Sequence, residues 1–321
     1  MGADILEARN LKTFFSLPEG VLRAVDGVSF RIREGESLGL VGESGCGKSV
    51  TALSLMRLVP DPPGKILEGE IFFKGSDLMK LPEREMRKIR GSRISMVFQE
   101  PATSMNPSYT IGNQMKEVIR FHQGGKGSRV EEKALEVLRD VQIPDPRRVL
   151  SQYPHELSGG MLQRVMIAMA LSCEPVLMIC DEPTTALDVS TQAQIIQLLG
   201  DLRERRRMSL LFITHDLGVL SWVCTSAAVM YAGKIVEHGA INQVLKDPIH
   251  PYTRALIGAT PRMDRDMDRL KVISGTVPNL VDLPPGCTFW PRCPLSRKAC
   301  REEAPVLNDR GDGHHAACHF C

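Results

Sequence analysis

The chain has 321 residues, 43% of them hydrophobic and 24% charged, with a net charge of +2. That length suits one large domain or two modest ones with a real core, and the near-neutral balance carries no basic excess of the kind that marks nucleic-acid binding. No uninterrupted apolar run of about 18 residues is present to cross a membrane; the best candidate, Val165–Cys180, is cut by Glu174-Pro175, and Met1–Asn10 carries Asp4 and Glu7 where a secretory signal needs an apolar core. The expectation is a soluble chain that meets any membrane through partners.

Residues 1 to about 35 read as β-rich, with Leu22–Ile32 alternating in polarity and Glu34-Gly35-Glu36 as a turn. Ser37–Val41 is a short apolar run suited to a buried strand. It enters Gly42-Glu43-Ser44-Gly45-Cys46-Gly47-Lys48-Ser49, which fits G-x-x-x-x-G-K-[ST], and Ser49–Leu58 reads as helix up to Pro60. Strand, loop and helix in that order are what a phosphate-binding loop requires. Its glycines let backbone N–H groups aim at phosphates, and the helix adds its dipole. Lys48 then reaches the β- and γ-phosphates and Ser49 ligates Mg²⁺. The plainer alternative is a glycine-rich turn with an exposed lysine. Cys46, beside Lys48 and a helix N-terminus, invites a second expectation: a thiol of lowered pKa, open to alkylation and protected by Mg-ATP. A shielded, inert side chain is the alternative.

The basic stretch Arg84–Arg93 is mixed with Glu and apolar residues and reads as a solvated helix face. Ile94–Phe98 is a strand, followed by Gln99. Residues from about 100 to 170 change character. Pro101, Pro107, Pro144, Pro146 and Pro154 punctuate them, Gly124-Gly125-Lys126-Gly127 is a turn, and Val130–Val141 has helical spacing, so this stretch reads as a helical subdomain inserted in an α/β core. In Leu157-Ser158-Gly159-Gly160-Met161, Ser158 suits an N-cap and the glycines leave amides uncovered, a second anion-binding helix start with no nucleotide pocket of its own. Val176–Cys180 is a buried strand ending in Asp181-Glu182. Gln192–Arg205 is an amphipathic helix, and Leu210–Ile213 is a strand ending at Thr214-His215. Alternating strands and helices argue for a mainly parallel sheet.

After about residue 245 the chain turns Pro-rich, with Pro248, Pro251, Pro261 and Pro278 among others, and loses periodicity. Such a segment needs a metal or tight docking to become ordered. Of nine cysteines, Cys46, Cys173, Cys180 and Cys224 are scattered, whereas Cys287, Cys293, Cys300, Cys318 and Cys321 crowd the last 35 residues. A phosphate-binding ATPase works in a reducing compartment, where such a cluster points to metal rather than crosslinks. Four thiolates suit an iron–sulfur cluster or zinc. Zinc sites favour tight pairs, and only Cys318-x-x-Cys321 has that form. Free thiols are the third possibility.

Taken in order, the loop 42–49, Leu157–Met161, Asp181-Glu182 and His215 resemble the nucleotide-binding subunits of ATP-binding-cassette (ABC) transporters. His250-Pro251-Tyr252-Thr253-Arg254-Ala255-Leu256, together with Gly286-Cys287 through Pro294, Cys300 and His315-Ala-Ala-Cys318, is similar to the tail of the oligopeptide/dipeptide branch, which also has members handling nickel and other solutes. The resemblance covers essentially the whole chain. It implies an ABC ATPase with a β-rich N-terminal subdomain, a mainly parallel core sheet, an inserted helical subdomain and an irregular metal-binding C-terminal extension, divided as 1–247 and 248–321. Asp181 would hold Mg²⁺ through water, with Ser49 and Gln99 the other groups at the metal. Glu182 would polarise the attacking water, and His215 would contact the γ-phosphate. Leu157-Ser158-Gly159-Gly160 would complete the ATP site of the opposite subunit, with Ala186-Leu187-Asp188 touching that subunit. Met161 stands where Gln is commoner, as in the peptide-importer branch. Phe15, or its neighbour Phe14, would stack on adenine. The branch favours a four-iron cluster on Cys287, Cys293, Cys300 and Cys318, with Cys321 dispensable and a structural or regulatory role.

The implied function is an ATP-hydrolysing subunit that powers import of di- or oligopeptides or similar small solutes. Its implied partners are a second ABC ATPase (a heterodimer more than a homodimer), two membrane permeases and, through them, an extracytoplasmic solute-binding protein, with no nucleic acid. Its implied place is the cytoplasmic face of the inner membrane, as a peripheral subunit. ATP binding through Lys48 is expected to persist when the tail loses its metal. The alternatives are a soluble ABC ATPase working on DNA or ribosomes, an importer subunit for nickel or another non-peptide solute, and an interaction protein with a decayed ATPase. The first usually carries a long coiled-coil insert or two cassettes, and neither is visible. The last is disfavoured by the intact Lys48, Asp181, Glu182 and His215.

Overall fold

The computed structural model describes residues 2–125, 127–185, 187–259 and 273–321. Lys126 of the glycine-rich turn, Ala186 of the segment before Asp188, and Pro261 of the tail lie outside them. The chain forms two compact units, Met1–Met79 with Phe212–Cys321, and Lys80–Leu211.

In the first unit, Asp4–Leu17 pairs antiparallel with Gly20–Arg33 on one side and Gly64–Phe73 on the other, and Ser76–Asp77 completes a four-stranded sheet. The alternation expected over Leu22–Ile32 is real: Val28, Phe30 and Ile32 are buried while Ser29, Arg31 and Arg33 are exposed. Ser37–Val41 is buried at every position and runs parallel to Ser226–Tyr231, which is why it reads as a continuous apolar run. Ser226–Tyr231 returns antiparallel as Lys234–Ala240 through a two-residue turn, Ala232 at φ 46° and Gly233 at φ 80°. Sequence reading missed this hairpin, because Ala232 is not a residue that signals positive φ.

The helix after the phosphate-binding loop is Lys48–Leu55, shorter than the expected Ser49–Leu58. Arg57 enters the left-handed region at φ 50°, and Leu58 N–H donates to Leu53 O at 2.8 Å, which closes the helix before Pro60.

The second unit contains the parallel pair Ile94–Val97 and Leu177–Asp181 and the helices Ile111–Gln123, Ser128–Asp140, Pro146–Ser151, Gly159–Leu171 and Val189–Arg206. Met115, Ile119, Val130, Leu138 and Val165 supply its buried apolar side chains. The expected helix Gln192–Arg205 begins three residues earlier because Asp188 caps it, accepting from Thr191 N–H at 3.0 Å. The strand Ser209–Thr214 is buried throughout. Parallel pairs thus occur next to the motifs, and the hairpin and short edge strands are antiparallel, so strand pairing over the chain is mixed. No helix among the described residues is long and apolar enough to cross a membrane.

The described part of the C-terminal extension packs within the first unit. It provides the helix Pro251–Ala259, a short 3₁₀ turn Trp290–Arg292, the helix Lys298–Glu302 and the small strands Asn308–Asp309 and His315–Ala316. His315–Ala316 adds to the edge of Lys234–Ala240, with Glu237 opposite Ala316 and His238 opposite His315. Glu237 is fully buried and ties three segments together. Its Oε1 accepts from Ile249 N–H and its Oε2 from His250 N–H, both at 2.8 Å, and His314 Nε2 lies 2.8 Å from Oε1. A buried carboxylate is tolerated only when its lone pairs are filled this way. Glu237→Ala strands the buried His250 amide and the half-buried Ile249 amide and is expected to cost about 3 kcal/mol in denaturant unfolding, with Glu237→Gln milder because it keeps one acceptor oxygen; a loss below ~1 kcal/mol for the alanine variant would contradict this account.

Candidate active site

The loop 42–49 sits against the strands of the first unit with no spare room at Gly42 and Gly47. A Cβ on Gly47 would come within 2.0 Å of Ala24 O, at a φ of 107°, and one on Gly42 within 2.2 Å of Met230 O. Glycine is therefore required at both positions by backbone approach as well as by phosphate access. Cys46 O accepts from Gly233 N–H at 2.9 Å, so the hairpin turn holds the loop. Lys48 is buried, and its Nζ donates to Gly42 O at 2.8 Å and to Glu43 O at 3.0 Å. A glycine-rich turn with an exposed lysine is excluded: the ammonium is buried and held by two of the loop's own carbonyls. Thr51 Oγ1 donates to Gly47 O and ties the loop to its helix.

Cys46 is fully buried, and burial pushes its thiol up to about 11 despite the nearby Lys48 charge. This reverses the expectation of a reactive thiolate. Desolvation outweighs the ammonium and the helix start, so Cys46 contributes backbone, with a side chain that fills space beneath the loop.

In the second unit Asp181 is buried at the end of its strand, and Glu182 follows at φ 44°. A left-handed glutamate costs about 1–2 kcal/mol and marks a position over-determined by its surroundings. Glu182 Oε2 accepts from Gln99 Nε2 at 3.2 Å and from Thr185 Oγ1 at 2.9 Å. Two groups found separately in the sequence, Gln99 and Glu182, thus meet. Thr185 was not anticipated, although it lies three residues beyond Glu182. His215, in the first unit, is exposed at the end of its strand, and Asp216 caps the next helix by accepting from Gly218 N–H at 2.8 Å.

Ser158 caps the helix Gly159–Leu171, accepting from Met161 N–H at 3.4 Å, and Leu157, Ser158 and Gly159 reach the surface. Gly160 has a packing reason: its Cβ would come within 2.7 Å of Thr191 Cγ2 on the neighbouring helix. Thr191 Oγ1 in turn donates to Asp188 Oδ2 at 2.7 Å, and hydrogen bonds from Ser190 and Thr191 hold the Asp188 carboxyl well below the usual carboxylate range. Phe14 and Phe15 are both half-buried. The Arg23 guanidinium carbon lies 6.0 Å from the centroid of Phe14, and Phe15 covers Gly64, where a Cβ would meet its Cε1 at 2.6 Å.

The extension reaches this loop, which sequence reading did not foresee. Tyr252 Oη accepts from Glu43 N–H at 2.9 Å, and Arg292 grips the Glu43 carboxylate with two donors at 2.7 and 3.0 Å. The His250-Pro251-Tyr252 motif is thereby explained. Burial pulls His250 down to about 4, so its ring is neutral at pH 7 and Nδ1 can accept from Tyr252 N–H at 3.1 Å. Beyond Arg292, Cys287, Cys293, Cys300 and Cys318 line one small cavity with Phe289, Trp290 and Phe320; Cys321 does not line it. Burial raises Cys287 to about 11, with Cys300, Cys293 and Cys318 near enough to add to the shift. The indole N–H of Trp290 and the hydroxyl of Ser296 are buried without partners. Among the described residues no three His, Cys, Asp or Glu side chains gather so as to hold a single metal ion.

A phosphate-binding loop with a buried lysine, a strand-end Asp-Glu pair held by a glutamine, and a capped Ser-Gly-Gly helix start together define an ATP-binding-cassette ATPase. The family model for the ABC transporter matches residues 25–185, and that for the oligopeptide/dipeptide transporter C-terminal region matches residues 236–300. The probable peptide ABC transporter ATP-binding protein y4tR of Sinorhizobium fredii is 52% identical over 98% of this chain and 94% of its own length. The dipeptide transport ATP-binding protein DppD of Escherichia coli is 46% identical over 98% of this chain and 96% of its own length. The oligopeptide transport ATP-binding protein AppD of Bacillus subtilis is also 46% identical over 98% of this chain and 96% of its own length. Among solved structures, the dimeric post-hydrolysis state of the ATP-binding cassette MJ0796, bound to ADP and Pi, is similar at 28% identity and a TM-score of 0.66, covering 74% of this chain and 98% of that one. The chain belongs to the ABC transporter family of ATP-binding proteins, and it is an ATPase.

Two expectations follow from the geometry. Peptide mapping after alkylation of the native protein should find Cys46 unlabelled with or without Mg-ATP, and labelled only once denatured; native labelling would mean that the loop opens. Gly160→Ala should destabilise by about 1–3 kcal/mol through the clash with Thr191. Thr191→Ser removes the offending methyl while keeping the hydroxyl that holds Asp188, so the double variant should recover most of that loss in urea titrations. A double variant no more stable than Gly160→Ala would refute the packing explanation.

Proposed function

We propose that this ATPase powers the import of di- and oligopeptides, or similar small solutes, through membrane permeases. The observation that carries the reading is the oligopeptide/dipeptide C-terminal region on a chain that aligns nearly end to end with peptide-transport ATPases. The domain division is 1–247 for nucleotide work and 248–321 for the extension. The partners are a second cassette, two permeases and an extracytoplasmic solute-binding protein, and the place is the cytoplasmic face of the inner membrane. Exposed Phe98, next to Gln99, suits a surface that meets a permease.

The residues divide the work as follows. Backbone amides of Gly42, Glu43, Ser44, Gly45, Cys46 and Gly47 and the ammonium of Lys48 receive the phosphates, with Phe15 against adenine. Ser49, Asp181 and Gln99 would hold Mg²⁺, which supplies charge neutralisation at the β- and γ-oxygens. Glu182 orients the attacking water, and the Gln99 amide now bonded to it fixes the direction of its carboxylate. His215 contacts the γ-phosphate. Leu157, Ser158, Gly159, Gly160 and Asp188 serve the opposite subunit's site. Glu182→Gln should bind ATP as tightly as the natural chain, since Lys48 and the loop amides remain, while turnover falls by about 10²–10⁴-fold. Near-normal turnover would remove Glu182 from this role. Restored uptake of labelled dipeptides in a strain lacking the gene tests the substrate; restored nickel uptake without peptide uptake would favour the other solute class.

Cys287, Cys293, Cys300 and Cys318 would hold a [4Fe–4S] cluster. Support comes from their common apolar cavity and from the partnerless N–H of Trp290, which lines it and for which cluster sulfurs are acceptors. The cluster stands in for a core that the Pro-rich segment lacks. Anaerobic purification should yield a brown protein with about four irons per chain; stoichiometric zinc without iron would overturn the assignment.

A further inference from the structure

We infer that Arg292 is a positioning residue for nucleotide binding: through it the C-terminal extension holds Glu43, and with Glu43 the backbone that receives phosphate. Glu43 is fixed on three sides. Arg292 Nη1 and Nη2 grip its carboxylate, Tyr252 Oη takes its N–H, and its carbonyl accepts from Lys48 Nζ at 3.0 Å. The position of Glu43 therefore helps to set where the Lys48 ammonium lies, and that ammonium is the group that meets the phosphates.

Arg292 is itself well anchored. Its side chain is only 4% exposed, its Nε donates to Ser274 O at 3.0 Å, and its Nη1 lies 3.4 Å from Tyr231 Oη. It ends a turn closed by Trp290 N–H to Cys287 O at 3.0 Å and Arg292 N–H to Phe289 O at 3.0 Å. A guanidinium is suited to this task, because its planar fork fixes both carboxylate oxygens while Nε is still free for a third bond; a lysine offers a point charge without that direction. Tethering matters because a loop that samples incompetent conformations binds with its affinity reduced by the competent fraction. The extension is thus coupled to the ATP site through Arg292 and Glu43.

Titration of the full chain with a fluorescent ATP analogue tests this, alongside steady-state kinetics of the transporter complex. Arg292→Ala should weaken nucleotide binding about tenfold, the scale of one bidentate charged contact, and the change should fall on KM for ATP rather than on kcat. Glu43→Gln, which lies outside the extension and leaves its packing alone, should produce a similar loss. The double variant should be no worse than either single one, and Arg292→Lys should fall between Arg292→Ala and the natural chain. Affinity within twofold of the natural chain for Arg292→Ala would overturn the inference. A loss for Arg292→Ala with none for Glu43→Gln, or additive losses in the double variant, would equally overturn it, since the arginine would then act through the packing of the extension alone.

Discussion

The phosphate-binding loop is wedged between two pieces of backbone that approach it more closely than any side chain allows. Ala24 O stands where a Cβ on residue 47 would be, and Met230 O where one on residue 42 would be. That crowding dictates much of the first unit. It needs the strand Ser37–Val41 fully buried so that the loop leaves the sheet at a fixed height, and it needs the Ser226–Tyr231 strand parallel to it, because Met230 belongs to that strand. It also turns the Cys46 thiol inward, since the loop's outer side must present amides to solvent and nucleotide. A loop with so few alternative conformations loses little entropy when it binds phosphate.

The hairpin that crowds the loop also anchors the extension. Gly233 N–H holds Cys46 O on one side, and Glu237, four residues on, gathers Ile249, His250 and His314 on the other. From there the chain returns to the loop through Tyr252 and Arg292. The contacts form a closed circuit: loop, hairpin, extension, loop. Each step is a short hydrogen bond between buried or half-buried groups, where the lowered dielectric strengthens a bond and makes an unpaired group costly.

Local chemistry made the motifs legible in the sequence. The loop 42–49 announces itself through glycine spacing, Ser158 through its place before a helix, and Asp181-Glu182 through the apolar strand they end. What stayed hidden was set by tertiary approach. The hairpin turn uses Ala232 at positive φ, a residue with no turn signature. The Gln99–Glu182 bond joins residues 83 positions apart, and the Glu43–Arg292 pair joins residues 249 positions apart, so neither leaves a periodic trace. Cys46 stayed open between a reactive and a shielded thiol for a related reason. Its neighbours in sequence favour a thiolate, but its surroundings in space are apolar, and desolvation outweighs a single nearby charge.

The Pro-rich segment shows how an irregular chain gains order without a core of its own. Its prolines lower the entropy it must surrender, and its short strands borrow an existing sheet edge. Its Phe289 packs edge-on to Tyr231 of the core strand and against Tyr252 of its own helix, with ring centroids 5.1 and 5.4 Å apart. Tyr231 ends the strand that crowds the loop, and Tyr252 accepts the loop amide. The four cysteines that line one cavity therefore lie one aromatic layer away from Glu43. Phe289 and Trp290 line that cavity, and Trp290 opens the turn that ends at Arg292. Order in the extension and order in the loop are, on this geometry, parts of one packing problem.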